Sequence, residues 1–447
     1  ATTNARYSIS FTKSSYQELV YQFDAKMKMK IFFCFIVSFF IVKAYEEFRG
    51  NQVLRIIPSN DVQLKVLKKW ISSNPLVDLW KEPSAPGHVV DIHMPKGKIS
   101  SFEKLLTAHG ISYNIMVPDV EDLLNEEELS NMKNSFSAYA FNAFDYNKFN
   151  DWPEIRRELE NLVSIYSSKA SLFNVGKTYK GEEQIGIKVT NGDGRSKPVV
   201  WIDGGIHARE WISPATVMYF MNKMLIDQTD RRVSQALAKY DFFFMPVFNI
   251  DGYKYTFTGR QARLWRKTRK PYSWYQFPCK GADPNRNWDS HWDEAIGTSD
   301  FCMYENYRGP KPFSEVEVAN VARFLKTLNL KSYWNVHAYG QYVLYPWSWT
   351  KKPAPEAAQM KNVGDVFAAA ARLRYGTLYQ VGQPADILYA VSGGSIDYTY
   401  EKLDVVYSYA LELRDTGRYG FVLPANQIQP SGEETSDAFL AAVLAMK

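Results

Sequence analysis

Val199-Val200-Trp201-Ile202-Asp203-Gly204-Gly205-Ile206-His207-Ala208-Arg209-Glu210-Trp211-Ile212-Ser213-Pro214 is the stretch on which the fold turns. Its four leading apolar residues read as a strand buried on both faces, as in a parallel sheet covered by helices. Gly204-Gly205 ends the strand. Ser213-Pro214 then opens a helix to about Leu225, because serine caps well and proline fits the first turn. His207 and Glu210 fall in the connection, where open α/β sheets hold their ligands.

The same alternation continues outward. Residues 242–247 form a nearly all-apolar strand, 314–328 a helix with Glu315 and Glu317 in its first turn, and 333–336 a strand. A helix over 355–373, a strand over 405–413 and a terminal helix over 436–446 follow. From about Phe149 onward this predicts an α/β domain, a mixed, mostly parallel sheet flanked by helices on both faces. Toward the N-terminus the order is different: strand 53–57, helix 61–70 capped by Ser59 or Asn60, strands 76–80 and 89–94, helix 102–108, strand 111–117. That β-α-β-β-α-β order predicts a small ferredoxin-like α+β domain. An acidic helical segment, 119–132, comes after it. Between Leu105 and Asn147 the only lysine or arginine is Lys133, in the polar run 131–135, which reads as an exposed, cleavable linker.

Residues 1–26 are polar and aperiodic and read as an upstream translated or non-native segment. Met27-Lys28-Met29-Lys30 is a basic flank to the twelve-residue apolar run 31–42. That run is too short to span a bilayer and suits a signal peptide over 27–44, ending near Ala44. Residues 45–133 and 134–447 are then the two domains expected.

The chain has 447 residues, 46% hydrophobic and 23% charged, a globular composition. Its net charge, 53 − 48 = +5, is carried by scattered residues, without the basic stripe of a nucleic-acid binder. Of three cysteines, Cys34 falls in the apolar run. Cys279 and Cys302 remain, one disulfide or two buried thiols.

Of six histidines, only His207, His291 and His337 lie in the second domain. His337 directly ends the strand 333–336. Together with His207 and Glu210 it makes a two-histidine, one-carboxylate set with an open position, the composition of a catalytic zinc site. Such donors suit zinc better than calcium or magnesium. His291, in a polar aromatic loop, reads as structural. Glu412 sits in the apolar strand Ala410-Leu411-Glu412-Leu413, where a carboxylate is costly without a role.

The stretch Trp201 to Trp211 resembles the zinc motif of the metallocarboxypeptidase A/B family. Further matches come in that family's order: Leu264-Trp265-Arg266-Lys267-Thr268-Arg269, Asp283-Pro284-Asn285-Arg286-Asn287-Trp288, Asn335-Val336-His337-Ala338-Tyr339, Ser392-Gly393-Gly394-Ser395-Ile396-Asp397, and the run from Leu411 to Gly420. The resemblance spans about residues 45–447. It implies a secreted, monomeric precursor, opened by a trypsin-like protease at Lys133, that removes the C-terminal residue of peptides using one zinc ion. It implies neither nucleic acid nor membrane as a partner. His207, Glu210 and His337 would hold the zinc, with Asp283 orienting a zinc histidine. Glu412 would act as base and Arg266 would support the oxyanion. Asn285 and Arg286 would bind the substrate carboxylate, with Tyr389 closing over it and Arg209 and Arg263 as auxiliary positions. Cys279 and Cys302 match the family's disulfide. Ile396 stands where basic-specific members carry an acid, which implies aromatic or aliphatic preference. Ala410, Ser348 and Asp386 depart from the A-type pattern and keep a basic or broadened preference open. An inactive, peptide-binding relative and a zinc amidohydrolase of N-acyl amino acids are the rival readings.

Overall fold

In the N-terminal region four strands, β1 (Gln52–Ile56), β2 (Asp78–Lys81), β3 (Val90–Met94) and β4 (Tyr113–Val117), pair antiparallel in the order β2-β3-β1-β4. Helices α1 (Asp61–Ser72) and α2 (Lys96–Ala108) supply Leu67, Phe102 and Leu106 to one core with Leu54, Ile56 and Ile92 of the sheet. This is the ferredoxin-like order expected. Asn60, one of the two predicted caps, accepts from the Gln63 amide. The computed structural model describes residues 48–447 apart from 75–76, 139–143, 228 and 275–276, and the backbone alone at 133–138, 274, 277 and 278. The expected upstream segment (1–26) and signal peptide (27–44) lie outside the described residues.

The linker expectation needs correction. Helix α3 (Val120–Ala138) runs through residues 131–135 and across the expected boundary after Lys133. The segment 120–138 holds neither glycine nor proline, so polarity alone does not interrupt it.

The second region follows with α4 (Trp152–Ile165), opened by an Asp151/Glu154 capping box with Pro153 in its first turn. Its sheet has eight strands: β5 (Ala170–Lys177), β6 (Glu183–Val189), β7 (Val199–Gly204), β8 (Asp241–Met245), β11 (Leu330–His337), β12 (Tyr342–Leu344), β13 (Gln380–Gly382) and β14 (Tyr407–Glu412), in the order β13-β12-β14-β11-β7-β8-β6-β5. A separate hairpin joins β9 (Pro271–Trp274) and β10 (Phe277–Lys280). Four of the seven sheet pairings are parallel, including those joining β14, β11, β7 and β8 at the centre. The helices are α5 (Ile212–Ile226), α6 (Arg231–Lys239), α7 (Ile250–Thr256), α8 (Val316–Leu325), α9 (Ala357–Tyr375), α10 (Pro384–Ile387), α11 (Ser395–Leu403) and α12 (Ile428–Ala445).

The central strands are buried at nearly every position because both faces are covered. On one side Trp201, Phe243 and Tyr333 pack with Val318 and Val321 of α8. On the other, Phe242 and Phe244 meet Phe220 of α5, which stacks on Phe439 of α12 at 5.1 Å. Residues 49–447 form one compact unit containing both regions.

Candidate zinc and peptide site

Three adjacent parallel strands deliver the site. In their register Asp203 lies opposite Asn335, and His337 opposite Glu412, so β7, β11 and β14 end together at one edge. Gly204 and Gly205 let the chain leave β7 tightly. A side chain at Gly204 would meet the Pro246 carbonyl at 3.0 Å, and Gly205 has φ +62°. Ser213 Oγ accepts from Gly205 N at 2.9 Å and donates to Val336 O at 2.6 Å, locking the His207 loop to the end of β11.

His207, Glu210 and His337 are buried with their donor atoms turned to one point. His207 Nδ1 is 2.8 Å from Glu210 Oε1, His337 Nδ1 is 3.1 Å from Glu210 Oε2, and the two Nδ1 atoms are 3.1 Å apart. Three donors each about 2.0–2.1 Å from a tetrahedral zinc stand roughly 3.3 Å from one another. Two imidazole nitrogens facing each other beside a buried carboxylate therefore fit that ion. The rings' other nitrogens are engaged as well: His207 Nε2 meets Asp283 Oδ1 at 3.1 Å, and His337 Nε2 meets Asn335 Oδ1. Burial, then Arg266, keeps the His207 imidazole below its ordinary pKa, in the neutral form a metal needs.

Asp283 serves two masters. Its second oxygen takes Arg266 Nη2 and Nε at 2.8 and 3.1 Å. Burial would raise its pKa, but Arg266, Arg286 and His207 hold it well below the usual carboxylate range. Asn285 and Arg286 follow on the same loop. Asn285 Oδ1 accepts from Ser395 N at 2.9 Å, which fixes the loop to the start of α11. A cavity of about 80 Å³ joins the zinc set, Arg266, Asn285, Arg286, Tyr389 and Glu412. Its apolar wall includes Leu344, Val391, Ile396 and Ala410. Asp386 is exposed on α10 and outside that lining. Burial pushes Glu412 up to about 7, with His337, Lys81 and Arg266 opposing. His291 stands away from the cavity, stacked on Trp349 at 4.0 Å.

Arg209 and Arg263 are engaged by the first region. Arg209 Nη1 pairs with Asp78 at 2.7 Å and lies 4.0 Å over the Phe421 ring. Arg263 is held at both forks by Glu127, at 2.6 and 2.7 Å, with both side chains 4% exposed. Trp80 and Lys81 of β2 line the same cavity as His207, Glu210, His337 and Glu412. Trp80 packs against Phe421 and Tyr339. Sequence reasoning did not find Asp78, Trp80, Lys81 or Glu127, because their partners lie more than 100 residues away. Cys279 and Cys302 are joined as a disulfide.

The zinc carboxypeptidase family model matches residues 155–438, and the carboxypeptidase activation peptide model matches residues 54–127. The chain belongs to the zinc carboxypeptidase family. Carboxypeptidase A2 of Rattus norvegicus is 37% identical over 393 residues, covering 87% of this chain and 92% of that one. Carboxypeptidase A1 of Bos taurus is 37% identical with the same coverage. Among solved structures, thrombin activatable fibrinolysis inhibitor superposes with a TM-score of 0.79 at 30% identity, over 89% of this chain and 98% of that one. Carboxypeptidase A from Helicoverpa armigera gives 0.79 at 26% identity, with the same coverage. The protein is thus a zinc metallocarboxypeptidase with an activation peptide.

Proposed function

We propose that this carboxypeptidase is a secreted zymogen that removes aromatic and aliphatic C-terminal residues. The observation that carries the specificity is the cavity wall: Ile396 in the first turn of α11, 3% exposed, among Leu344, Val391 and Ala410, with Glu210 and Glu412 as the only acids lining it among the described residues. A substrate lysine or arginine entering there leaves its charge without a partner. Secretion rests on the signal-like segment 27–44 and on the disulfide, which persists in oxidising compartments.

Zinc, when bound by His207, Glu210 and His337, supplies a Lewis acid that polarises the scissile carbonyl and acidifies a water. Asn285 and the Arg286 guanidinium bind the free carboxylate, which restricts cleavage to the last residue. Tyr389 covers it. Glu412, whose pKa burial raises and bound zinc would lower, takes a proton from water and hands it to the leaving amine. Arg266, fixed by Asp283, faces the oxyanion and stabilises it without reorganising. The contacts of Asp78 and Glu127 with Arg209 and Arg263 support an inactive precursor, and Lys133 is the proposed site of its opening.

The test is release of the last residue from peptides ending in Phe, Leu, Lys, Arg or Glu by trypsin-treated protein, with and without a zinc chelator. Chelator-sensitive release of Phe and Leu is expected. Preferential release of Lys or Arg would overturn the specificity, and no release would overturn the activity.

A further inference from the structure

The two zinc histidines are supported in different ways. His207 meets a carboxylate directly, whereas His337 meets an amide. With Nδ1 of His337 turned into the zinc set, its proton resides on Nε2, and that N–H needs an acceptor. Asn285 Nδ2 lies 3.4 Å away but is itself a donor. Asn335 Oδ1 is the acceptor, and Ser395 Oγ donates to the same oxygen at 3.4 Å. Asn335 Nδ2 then donates to Asp203 Oδ1, and Asp203 Oδ2 accepts from the Trp201 indole N–H at 2.7 Å. Asp203 and Asn335 are fully buried, and they face each other because β7 and β11 are in that register. The amide has one workable orientation. Turned over, its NH2 would oppose the Nε2–H, and its carbonyl would oppose the carboxylate.

We propose that Asp203 and Asn335 form a positioning relay that orients the His337 ring and strengthens its hold on zinc. The carboxylate polarises the amide, so the Asn335 carbonyl is a stronger acceptor than an isolated amide, while the outer nitrogen of His337 meets a neutral group where that of His207 meets Asp283. The relay rests on the ligand set proposed above.

The test uses the full chain and three readouts: zinc affinity by competition with a chromophoric chelator, the visible spectrum of the Co2+-substituted protein, and the Tm of the zinc-free form. Asn335→Leu removes the acceptor, and zinc binding should weaken about 10–100-fold with an altered cobalt spectrum. Asp203→Asn keeps the acceptor but removes the charge behind it, and should weaken binding by a smaller factor, several-fold. A lower zinc-free Tm with zinc affinity within twofold of wild type in Asn335→Leu would make the network merely structural and overturn the relay. If Asn335→Leu does not fold, the same threshold applied to Asp203→Asn decides. His337→Ala separates the two claims: unchanged zinc affinity there overturns the ligand set, and the relay with it. Weakening in His337→Ala without weakening in Asn335→Leu overturns the relay alone.

Discussion

Glu412 lies at the end of an apolar strand, and burial holds its proton to about pH 7. Its folded pKa is raised above the unfolded value, so the ionised carboxylate opposes folding, and stability is lost as pH rises from about 4.5 toward 7. Zinc-free Glu412→Gln should therefore unfold at a higher temperature than wild type at pH 8 and at a similar one near pH 4. In the zinc-loaded enzyme the same change should cut kcat by at least about 10²–10⁴-fold. Zinc's positive charge pulls the Glu412 pKa below 7, so kcat/KM of the wild type should fall on acidification along a limb lying below that pH. Ile396→Asp should gain C-terminal Lys and Arg and lose Phe by roughly 10–200-fold, read from kcat/KM on paired peptides. At this scale much of the site was legible. His207 and Glu210 stand three apart after a strand, His337 ends another, and a carboxylate at position 412 contradicts its apolar neighbours. Asn335 gave the same kind of signal, a polar residue between Trp334 and Val336, but its partner Asp203 is reached through sheet register, which local spacing does not contain.

At the scale of elements, α3 joins two features. Its acidic face meets the enzyme region through Glu127 on Arg263 and through Glu121 and Glu128 on Arg260, and its later turns carry Lys133. Breaking a buried pair leaves an uncompensated charge, at a cost of about 3–5 kcal/mol. Glu127→Ala should lower the unfolding midpoint of the intact precursor in urea by a corresponding amount, while Glu128→Ala, half-exposed, should change it little. A protease needs an extended segment, so cleavage at Lys133 requires the end of α3 to open. Lys133→Gln should slow activation by trypsin, followed as the appearance of peptidase activity; activation at the wild-type rate would exclude the site. The strands and helices of the sheet were legible because a buried strand such as β8, with its run Phe242-Phe243-Phe244-Met245, is unmistakably apolar. The end of α3 was not, since polar residues without glycine or proline are compatible with either helix or linker.

Across the whole molecule, zinc and the activation peptide act on one cavity. Chelation should abolish peptide hydrolysis and lower Tm, and added zinc should restore both; at 100-fold excess over its Kd, the ion contributes about 2.7 kcal/mol to stability. The contacts of β2 and α3 with Arg209 and Arg263 carry a further consequence. In the uncut chain these groups face each other as parts of one molecule, at an effective concentration of order millimolar for a short tether. Once the tether is cut, the same contacts form only by encounter between two molecules. Occupancy of the cavity by Trp80 and Lys81 then depends on how much protein is present, so a freshly cleaved preparation should gain activity per molecule on simple dilution. High concentration would favour silence and dilution would favour catalysis, with the enzyme's own concentration serving as the signal.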